Sequence, residues 1–328
     1  MIRLAIISFE HVHAPHYLQG LKEIDGVSVA AVAEPEDRRL EAHSSLLQGI
    51  PRYTDYKRMI EAEDLDGVIV CSANSRHKEI VIECARAGLP VLCEKPIATR
   101  TADAREMLAV CQAHDSALVI CFPTRFSPAL HQAREVLRQG SLGKPLAVSA
   151  TNRGMMPGDW FVDPELAGGG ALMDHTVHVA DALRWLFEAE FTRVFAHAAT
   201  RLHQTPVEDV GLVTLEMSNE VFVTVDTSWS RPNRSFPLWG DLCMRIVGTE
   251  GVLDVDVVPW TLNQYSEEAG KHLVTARDGD LNIRLLTAFV QSLSGQSTLL
   301  ANGVDGLRAL EVVEAAYKSL ESRNPVAL

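Results

Sequence analysis

Three residues of this sequence have the types and spacing that acid–base chemistry requires. Lys95 lies in the triplet Glu94-Lys95-Pro96, and Asp174 and His178 lie four positions apart after three consecutive glycines. Residues at i and i+4 share one face of a helix, where a carboxylate can orient an imidazole and raise its pKa. Such a pair suits a general base or acid, and a lysine can stabilise negative charge on a reacting oxygen.

Each pattern also has a plainer interpretation. Asp174 could cap a helix beside an unrelated histidine, the pair could bind a metal ion, and Lys95 could be a surface lysine. The position of Lys95 favours chemistry, because it follows a predicted parallel strand, and doubly wound sheets bind ligands at the C-terminal ends of their strands.

The first 122 residues alternate short apolar strands with helix-like segments. Strands are predicted at 4–7, 27–34, 67–71, 90–94 and 117–122, and helices at roughly 15–24, 36–47, 55–62, 76–87 and 101–113. This alternation predicts an α/β fold in which a parallel sheet is covered on both faces, the doubly wound Rossmann arrangement.

After Phe122 the pattern changes. A helix near 127–139, a strand at 146–152 and a helix at 170–187 precede longer strands from about 191 to 265, and helices follow at about 280–294 and 303–323. We therefore predict two domains: a Rossmann domain over 1–122, and an α+β domain over 123–328 with a large open, mostly antiparallel sheet.

Composition and charge argue against several classes of protein. The net charge of −13 opposes binding to nucleic acid and gives no support for an anionic membrane surface. No apolar run approaches the roughly 18 residues of a membrane span, and no signal peptide is recognised. None of the six cysteines forms a C-x-x-C pair, so we expect buried, reduced thiols and a cytoplasmic protein.

The segment SFEHVHAPH, residues 8–16, joins the first strand to the first helix. Dinucleotide-binding proteins carry a glycine-rich turn there, and an acidic residue about 20 positions later accepts from the ribose hydroxyls. Glu34 lies 21 positions after His13 and would favour NAD over NADP. Glu34 could equally be a solvated residue at a strand end, and Arg38 and Arg39 leave NADP open.

Several longer segments together resemble the Gfo/Idh/MocA oxidoreductases along nearly the whole chain. They include AVAEPEDRR, SANSRHKEIVIECARAGLPVLCEKPIA, FPTRFSPAL, GGGALMDHTVHVADALRWL and DGLRALEVVEAAYKSLES. The resemblance implies a Rossmann domain, a second domain whose open sheet often forms homodimers or homotetramers, and NAD(P)-linked oxidation or reduction of a sugar-like substrate.

The resemblance also implies roles for individual residues. Lys95 would polarise the reacting hydroxyl, His178 would take its proton, and Asp174 would orient both the substrate and His178. The Lys95–Pro96 bond is expected to be cis, as in many members. Cofactor contacts are implied for Ser8, Phe9, Glu10, His11, Val12, Glu34, Cys71, Ser72, Asn74, His77, Glu94 and Lys95.

Substrate contacts are implied for Lys95, Arg125, Asn152, Arg153, Trp160, Asp174 and His178. Trp160 could stack on a sugar ring, and the two arginines hint at an acidic or phosphorylated substrate. These four less specific positions, Arg125, Asn152, Arg153 and Trp160, could instead belong to a domain interface. His77 could be a surface residue early in a helix.

The first motif departs from the family pattern, since S-F-E-H-V-H stands for G-x-G-x-x-G. A Glu10 carboxylate about 5 Å from a phosphate would cost roughly 3 kcal/mol at an effective dielectric near 20. The penalty disappears if Glu10 points to solvent or pairs with His11 or His13. We expect the cofactor to bind still. No metal site is predicted, because His11 and His13 point to opposite sides of an extended loop.

The sequence therefore favours an NAD(P)-dependent dehydrogenase or reductase acting on CH–OH groups of a sugar, polyol or related cyclic compound. Two other functions stay open. The chain could be a non-catalytic, ligand-sensing or partner-binding member of the same fold, which the altered loop favours. It could also be an enzyme that cleaves glycosides with the help of NAD.

Overall fold

The computed structural model describes residues 1–236, 239–258, 261–266, 271–276, 279–296 and 299–328, with the backbone alone described for 261–266 and 271–276. Residues 237–238 and 259–260 of the predicted strand region lie outside the described residues. Two compact units form: Met1–Pro123 with Asp159–Gly169 and Asn282–Leu310, and Thr124–Gly158 with Gly170–Leu281 and Glu311–Leu328. The second unit is therefore not the continuous range 123–328 that the sequence predicts.

The bounds of the regular elements follow the predicted alternation closely. The strands are β1 Ile2–Ile7, β2 Val27–Ala33, β3 Arg52–Tyr53, β4 Gly67–Val70, β5 Val91–Cys93, β6 Leu118–Ile120, β7 Pro145–Gly154, β8 Phe191–Ala199, β9 Val210–Met217, β10 Phe222–Asp226, β11 Gly240–Gly248, β12 Val252–Val258, β13 Thr261–Ser266, β14 Lys271–Ala276, β15 Ala301–Asn302 and β16 Val326–Ala327. The helices are α1 Ala14–Glu23, α2 Asp37–Glu41, α3 Tyr56–Ala62, α4 His77–Arg86, α5 Thr101–Ala113, α6 Pro128–Arg138, α7 Pro164–Ala167, α8 Ala171–Phe187, α9 Leu281–Leu293 and α10 Gly303–Ser322.

The first unit is built on a seven-stranded sheet in the order β15-β6-β5-β4-β1-β2-β3. Strands β1 to β6 are parallel, and β15 pairs antiparallel with β6. The residues of β4 and β5 are all buried, as expected for strands covered on both faces. The predicted Rossmann fold is confirmed. The order of strands reverses between β1 and β4, which is where such sheets bind their ligands.

The second unit contains a seven-stranded sheet in the order β12-β11-β7-β10-β9-β8-β16. Only the β10–β7 pair of this sheet is parallel, so the predicted, mostly antiparallel sheet is confirmed. Side chains of β9 alternate between buried and exposed because one face packs against α8. The other face exposes Leu212, Phe222 and Val252, each to more than half of its surface.

Two other sequence-based expectations are tested by the same residues. All six cysteines are free thiols; five are buried, as predicted, and Cys243 is partly exposed. Within the part of the chain that the structure describes, no helix is both long and apolar enough to cross a membrane.

Candidate functional site

The C-terminal ends of β1, β2, β4 and β5 bring the predicted cofactor residues to one edge of the first unit. Ser8 follows β1, Glu34 follows β2, Ser72 lies just beyond β4, and Glu94 follows β5. Because parallel strands end at the same edge of a sheet, segments far apart in the sequence meet here. The side chains of all four residues are buried.

Ser8 replaces the first glycine of the family pattern and keeps its backbone conformation, with φ at +70°. This left-handed region is unfavourable for residues other than glycine by about 1–2 kcal/mol. The Ser8 hydroxyl offsets part of that cost. It donates to Glu34 Oε2 at 3.0 Å and accepts the backbone N–H of Glu10 at 3.2 Å.

Glu34 is fully buried, so the interpretation as a solvated residue at a strand end is wrong. Its Oε2 accepts the Phe9 N–H at 2.6 Å, and its Oε1 accepts the Glu36 N–H at 3.0 Å. Arg39 donates to the same Oε1 at 2.9 Å. These bonds fix the carboxylate at the end of β2, the position from which ribose hydroxyls are recognised.

Glu10 points inward, and arginines outside its own loop balance its charge. Its side chain is 2% exposed, and Arg76 Nη1 lies 2.8 Å from Oε1, with Arg39 Nη2 at 3.5 Å. The Ala73 N–H donates to Oε2 at 2.9 Å. Glu10 therefore does not point to solvent, which was one of the two arrangements that the sequence left open, and the partners observed here are arginines rather than histidines. Compensation by Arg76 and Arg39 reduces the repulsion that Glu10 would exert on a phosphate.

Removal of this compensation should lower stability measurably. We expect Arg76→Met to reduce the free energy of unfolding by about 1–2 kcal/mol, because Glu10 stays buried with one partner fewer. Urea denaturation measures the effect. Arg86→Met is the control: Arg86 is 59% exposed and pairs with Glu83 at the surface, so its loss should cost less than about 0.5 kcal/mol. Equal losses in both variants would contradict the structural role of Arg76.

The histidine loop is folded rather than extended, so its first and third residues point the same way. The His11 N–H donates to the Cys71 carbonyl, and the Ala14 N–H donates to the His11 carbonyl. The rings of His11 and His13 lie 4.5 Å apart, and their Nδ1 atoms lie 3.6 and 2.8 Å from Glu94 Oε1. The assumption that these two side chains diverge is wrong.

Glu94 is a fully buried carboxylate between several donors. Tyr17 donates its hydroxyl to Oε1 at 2.6 Å, and the Lys95 N–H donates to Oε2 at 3.1 Å. Burial opposes ionisation, yet the neighbouring His11 and His13 hold the pKa of Glu94 well below its ordinary value. The residue is therefore ionised at neutral pH.

The segment Asp159–Gly169 packs on this loop within the first unit. The Trp160 indole N–H donates to the Glu10 carbonyl at 2.9 Å, and its ring stacks on Phe161 with centroids 3.9 Å apart. Trp160 is 4% exposed. Its predicted stacking on a sugar ring stays a prediction, and the observed partner of the ring is Phe161.

The Glu-Lys-Pro triplet has the backbone that the resemblance implied, since the Lys95–Pro96 bond is cis. Lys95 is 5% exposed, which rules out a surface lysine. His77 lies beneath the triplet, with Nδ1 2.9 Å from the Pro96 carbonyl and Nε2 3.1 Å from the Ser72 carbonyl. His77 is fully buried, and burial lowers its pKa, so the alternative of a surface histidine is wrong.

Two further residues beyond β4 had been assigned to the cofactor pocket. Asn74 donates its side-chain amide to the Ala167 carbonyl at 2.9 Å and is buried. Cys71 is fully buried, and desolvation raises its pKa well above the ordinary value. Cys71 is therefore a neutral thiol that fills the end of the strand.

In the second unit, helix α8 carries Asp174 and His178. Gly170 precedes the helix, so Asp174 lies in the first turn and is not the capping residue. Asp174 Oδ2 accepts the Trp229 indole N–H at 3.1 Å and lies 3.3 Å from His175 Nε2. His175 and Trp229 were not expected from the sequence, and they fix the orientation of this carboxylate.

The start of α8 is held by Glu208, which the sequence also did not reveal. The Glu208 carboxylate accepts the N–H groups of Gly170 at 2.9 Å and Leu172 at 3.0 Å, and the Tyr317 hydroxyl at 2.8 Å. A Cβ at Gly170 would lie 2.0 Å from the Glu208 carbonyl oxygen. This close approach explains why a glycine stands directly before the helix.

Three of the predicted substrate residues are occupied by contacts inside the second unit. Arg125 pairs with Asp181 through two hydrogen bonds of 2.9 and 2.6 Å, with both side chains buried. Asn152 donates to the His175 carbonyl at 3.0 Å. Arg153 lies 3.2 Å from Asp241. Substrate contact by these residues stays a prediction.

The sequence and fold were compared with known proteins. Residues 2–122 match the oxidoreductase family with an NAD-binding Rossmann fold, and residues 130–254 match the GFO/IDH/MocA C-terminal domain. An inositol 2-dehydrogenase of Acidothermus cellulolyticus is 30% identical, with 99% of this chain and 94% of the relative covered. The chain belongs to the GFO/IDH/MocA family of oxidoreductases. The resemblance seen in the sequence is confirmed.

Other members of the GFO/IDH/MocA family align over the full chain. A myo-inositol 2-dehydrogenase of Thermotoga maritima is 27% identical, with 100% of this chain and 98% of the relative covered. The crystal structure of an aldose-aldose oxidoreductase from Caulobacter crescentus, complexed with glycerol, superimposes with a TM-score of 0.83 at 25% identity and covers 100% of this chain and 99% of that one.

The residues at the strand ends fit the NAD that the GFO/IDH/MocA family binds. A cavity of about 180 Å³ opens between the ends of β1, β2 and β4, lined by Ser8, Pro35, Tyr56, Ser72 and Arg76 among others. The apolar side chains of Ile7, Ala33 and Ile80 in its lining suit a flat base. Helix α1 begins at the edge of this region, and its N-terminus favours an anion.

Proposed function

We propose that this protein is an NAD(H)-dependent dehydrogenase or reductase that acts on a CH–OH group of a sugar, polyol or related cyclic compound. The observation that carries the proposal is the retention of a buried Lys95 after β5 together with Asp174 and His178 on one helix. Relatives across the family are named as dehydrogenases of such compounds, which supports the substrate class.

NAD is proposed over NADP because of the buried carboxylate at the end of β2. Glu34 accepts two backbone N–H groups and one arginine, and it is placed to accept hydroxyl donors from a ribose. A 2′-phosphate would place further negative charge next to this carboxylate. Arg39 reduces that repulsion, since its guanidinium lies 2.9 Å from Glu34.

A bound nicotinamide would supply the hydride acceptor or donor, and the chain supplies the proton chemistry. Lys95 would donate to the substrate oxygen and stabilise negative charge on it. His178 would take the hydroxyl proton as a general base, and return it in the reverse direction. Asp174, held by Trp229 and His175, would orient the reacting group.

Two measurements test this function. Isothermal titration with NAD⁺ and NADH should show saturable binding. If neither cofactor bound at about millimolar concentration, the proposal would be wrong. A screen of inositols, aldoses and sugar acids should then give a substrate-dependent change in the near-ultraviolet absorbance of reduced nicotinamide. Sugar acids are included because Arg153 lies in the proposed substrate region.

A non-catalytic, ligand-sensing member of the fold is the second candidate, and one observation favours it. In the loop after β1, several backbone donors already have internal acceptors: the N–H groups of Phe9, Glu10, His11 and His13 bond to Glu34, Ser8, Cys71 and His11, respectively. Fewer donors then remain for a pyrophosphate than in a glycine loop. Saturable NAD binding without turnover of any screened compound would favour this function.

We further propose a cytoplasmic homodimer or homotetramer. The exposed apolar residues Leu212, Phe222 and Val252 on the open sheet face support self-association, and the free cysteines support a reducing compartment. Light scattering coupled to size-exclusion chromatography tests the assembly. A monomeric mass at micromolar concentration would contradict it.

A further inference from the structure

Three side chains of the first unit bring metal-binding atoms together at one point. One potential ligand atom from each of His11, His13 and Glu94 lies within 4.8 Å of the other two. Nothing in the proposed dehydrogenase chemistry requires two imidazoles at this carboxylate. The cluster follows from the fold, because the loop after β1 turns back on itself beside the end of β5.

The separations of Glu94 Oε1 from the two imidazoles are close to those around a tetrahedral ion. Zinc binds imidazole nitrogen and carboxylate oxygen at about 2.0–2.2 Å, which places neighbouring tetrahedral ligands about 3.2–3.6 Å apart. Glu94 Oε1 lies 3.6 Å from His11 Nδ1 and 2.8 Å from His13 Nδ1. Lengthening the His13 contact by a few tenths of an ångström would bring both separations into this range.

The chemical state of His11 Nδ1 also suits a ligand. This atom accepts the backbone N–H of His13 at 3.2 Å, so it carries a lone pair and not a proton. Glu94 Oε1 lies 3.6 Å away. Binding of an ion at His11 Nδ1 would replace the 3.2 Å hydrogen bond from the His13 N–H with a coordinate bond.

Hydrogen bonds from neighbouring groups fix the carboxylate of this cluster, as they do in metal sites. Glu94 is held through both oxygens, by the Tyr17 hydroxyl at 2.6 Å and the Lys95 N–H at 3.1 Å. Such outer hydrogen bonds orient ligands in metal sites. The side chains of His11 and Glu94 are 1% and 0% exposed, whereas that of His13 is 33% exposed. Solvent therefore reaches the cluster from the His13 side.

We propose that His11, His13 and Glu94 bind a divalent transition-metal ion such as Zn²⁺, with a fourth position left for water or a substrate oxygen. Two histidines and one glutamate are the protein ligands of a familiar class of catalytic zinc sites. Zinc is favoured over Mg²⁺ and Ca²⁺, because imidazole is a poor ligand for ions that prefer oxygen. The site goes beyond the proposed dehydrogenase activity and does not depend on it.

Isothermal titration of the full-length, chelator-treated protein with ZnCl₂, without nicotinamide cofactor, tests the proposal. We expect one Zn²⁺ per chain with a dissociation constant of about 10 µM or tighter. His13→Ala should weaken binding at least about 30-fold, and Tyr17→Phe about 10-fold through the lost outer hydrogen bond. Mg²⁺ should not compete.

His16→Ala is the matched control, because His16 lies three residues after His13, in the first turn of α1, but is exposed and outside the cluster. The dissociation constant of His16→Ala for Zn²⁺ should stay within about threefold of that of the wild type. The absence of saturable Zn²⁺ binding, or equal binding by His13→Ala and wild type, would overturn the proposal. Circular dichroism of metal-free His13→Ala checks its fold, and Co²⁺ absorption spectra report the ligand set directly. NAD titration of the same metal-free sample keeps the two proposals separate.

Discussion

Turnover by the Lys95→Met variant should fall at least about a hundredfold below that of the wild type, because the donor that stabilises charge on the reacting oxygen is lost. Methionine keeps the length and apolar stem of the lysine, so the packing around this buried position is largely retained. Steady-state kinetics with the substrate found in the screen measure the loss. The dissociation constant for NAD⁺ should stay within about threefold.

Lys57→Met serves as the control for the loss of one positive charge. Lys57 lies in α3 with its side chain 56% exposed, and it pairs loosely with Glu83 at 3.7 Å. This variant should keep wild-type turnover. If Lys95→Met also retained near wild-type activity, Lys95 would not be the catalytic lysine, and the assigned chemistry would fail. A large loss of NAD⁺ affinity would instead assign Lys95 to cofactor binding.

Arg125→Met should lower the free energy of unfolding by about 3–5 kcal/mol, because it leaves the buried carboxylate of Asp181 without its guanidinium partner. Both side chains are at most 8% exposed and are joined by two hydrogen bonds. Urea denaturation measures the effect. The double variant Arg125→Met/Asp181→Leu should be less destabilised than Arg125→Met, since no uncompensated charge remains.

Arg184→Met is a matched comparison on the same helix as Asp181. Arg184 also makes two hydrogen bonds to a carboxylate, but its partner Glu190 is 56% exposed, so the loss should be about 1 kcal/mol or less. Unchanged stability of Arg125→Met with a raised KM would reverse the assignment. Arg125 would then bind substrate, as the sequence had suggested.

Much of the fold could be predicted from local patterns. The alternation of apolar strands and helices predicted the parallel sheet because each strand is buried on both faces, and most bounds differ from those observed by a few residues, although the helix predicted at 36–47 ends at Glu41. The short strands β3, β15 and β16 were missed. Each has two residues, too few for a periodic signal, and each exists only because a neighbouring strand offers it a pairing edge.

The sequence could predict those residues of the candidate site that belong to a motif. It could not predict those that depend on packing. Lys95 was inferred from the Glu-Lys-Pro triplet at a strand end, and Asp174 and His178 from their i,i+4 spacing; their catalytic roles stay a prediction. The partners of Asp174, His175 and Trp229, come together through the fold, and nothing in their local sequence marks them. The sequence held one signal for the partner of Glu10. A charged residue at a glycine position requires a compensating charge, and Arg76 lies in the motif SANSRHKE.

The late return of the chain to the first unit has a consequence for how the protein can be made. Residues Asn282–Leu310 complete that unit by adding β15 beside β6 and by placing Ile283 and Leu286 against Gly20 of the first helix. A fragment ending at residue 122 would expose the edge of β6 and the apolar surface that α9 covers. On the ribosome, this first unit cannot close until residues 282–310 have emerged.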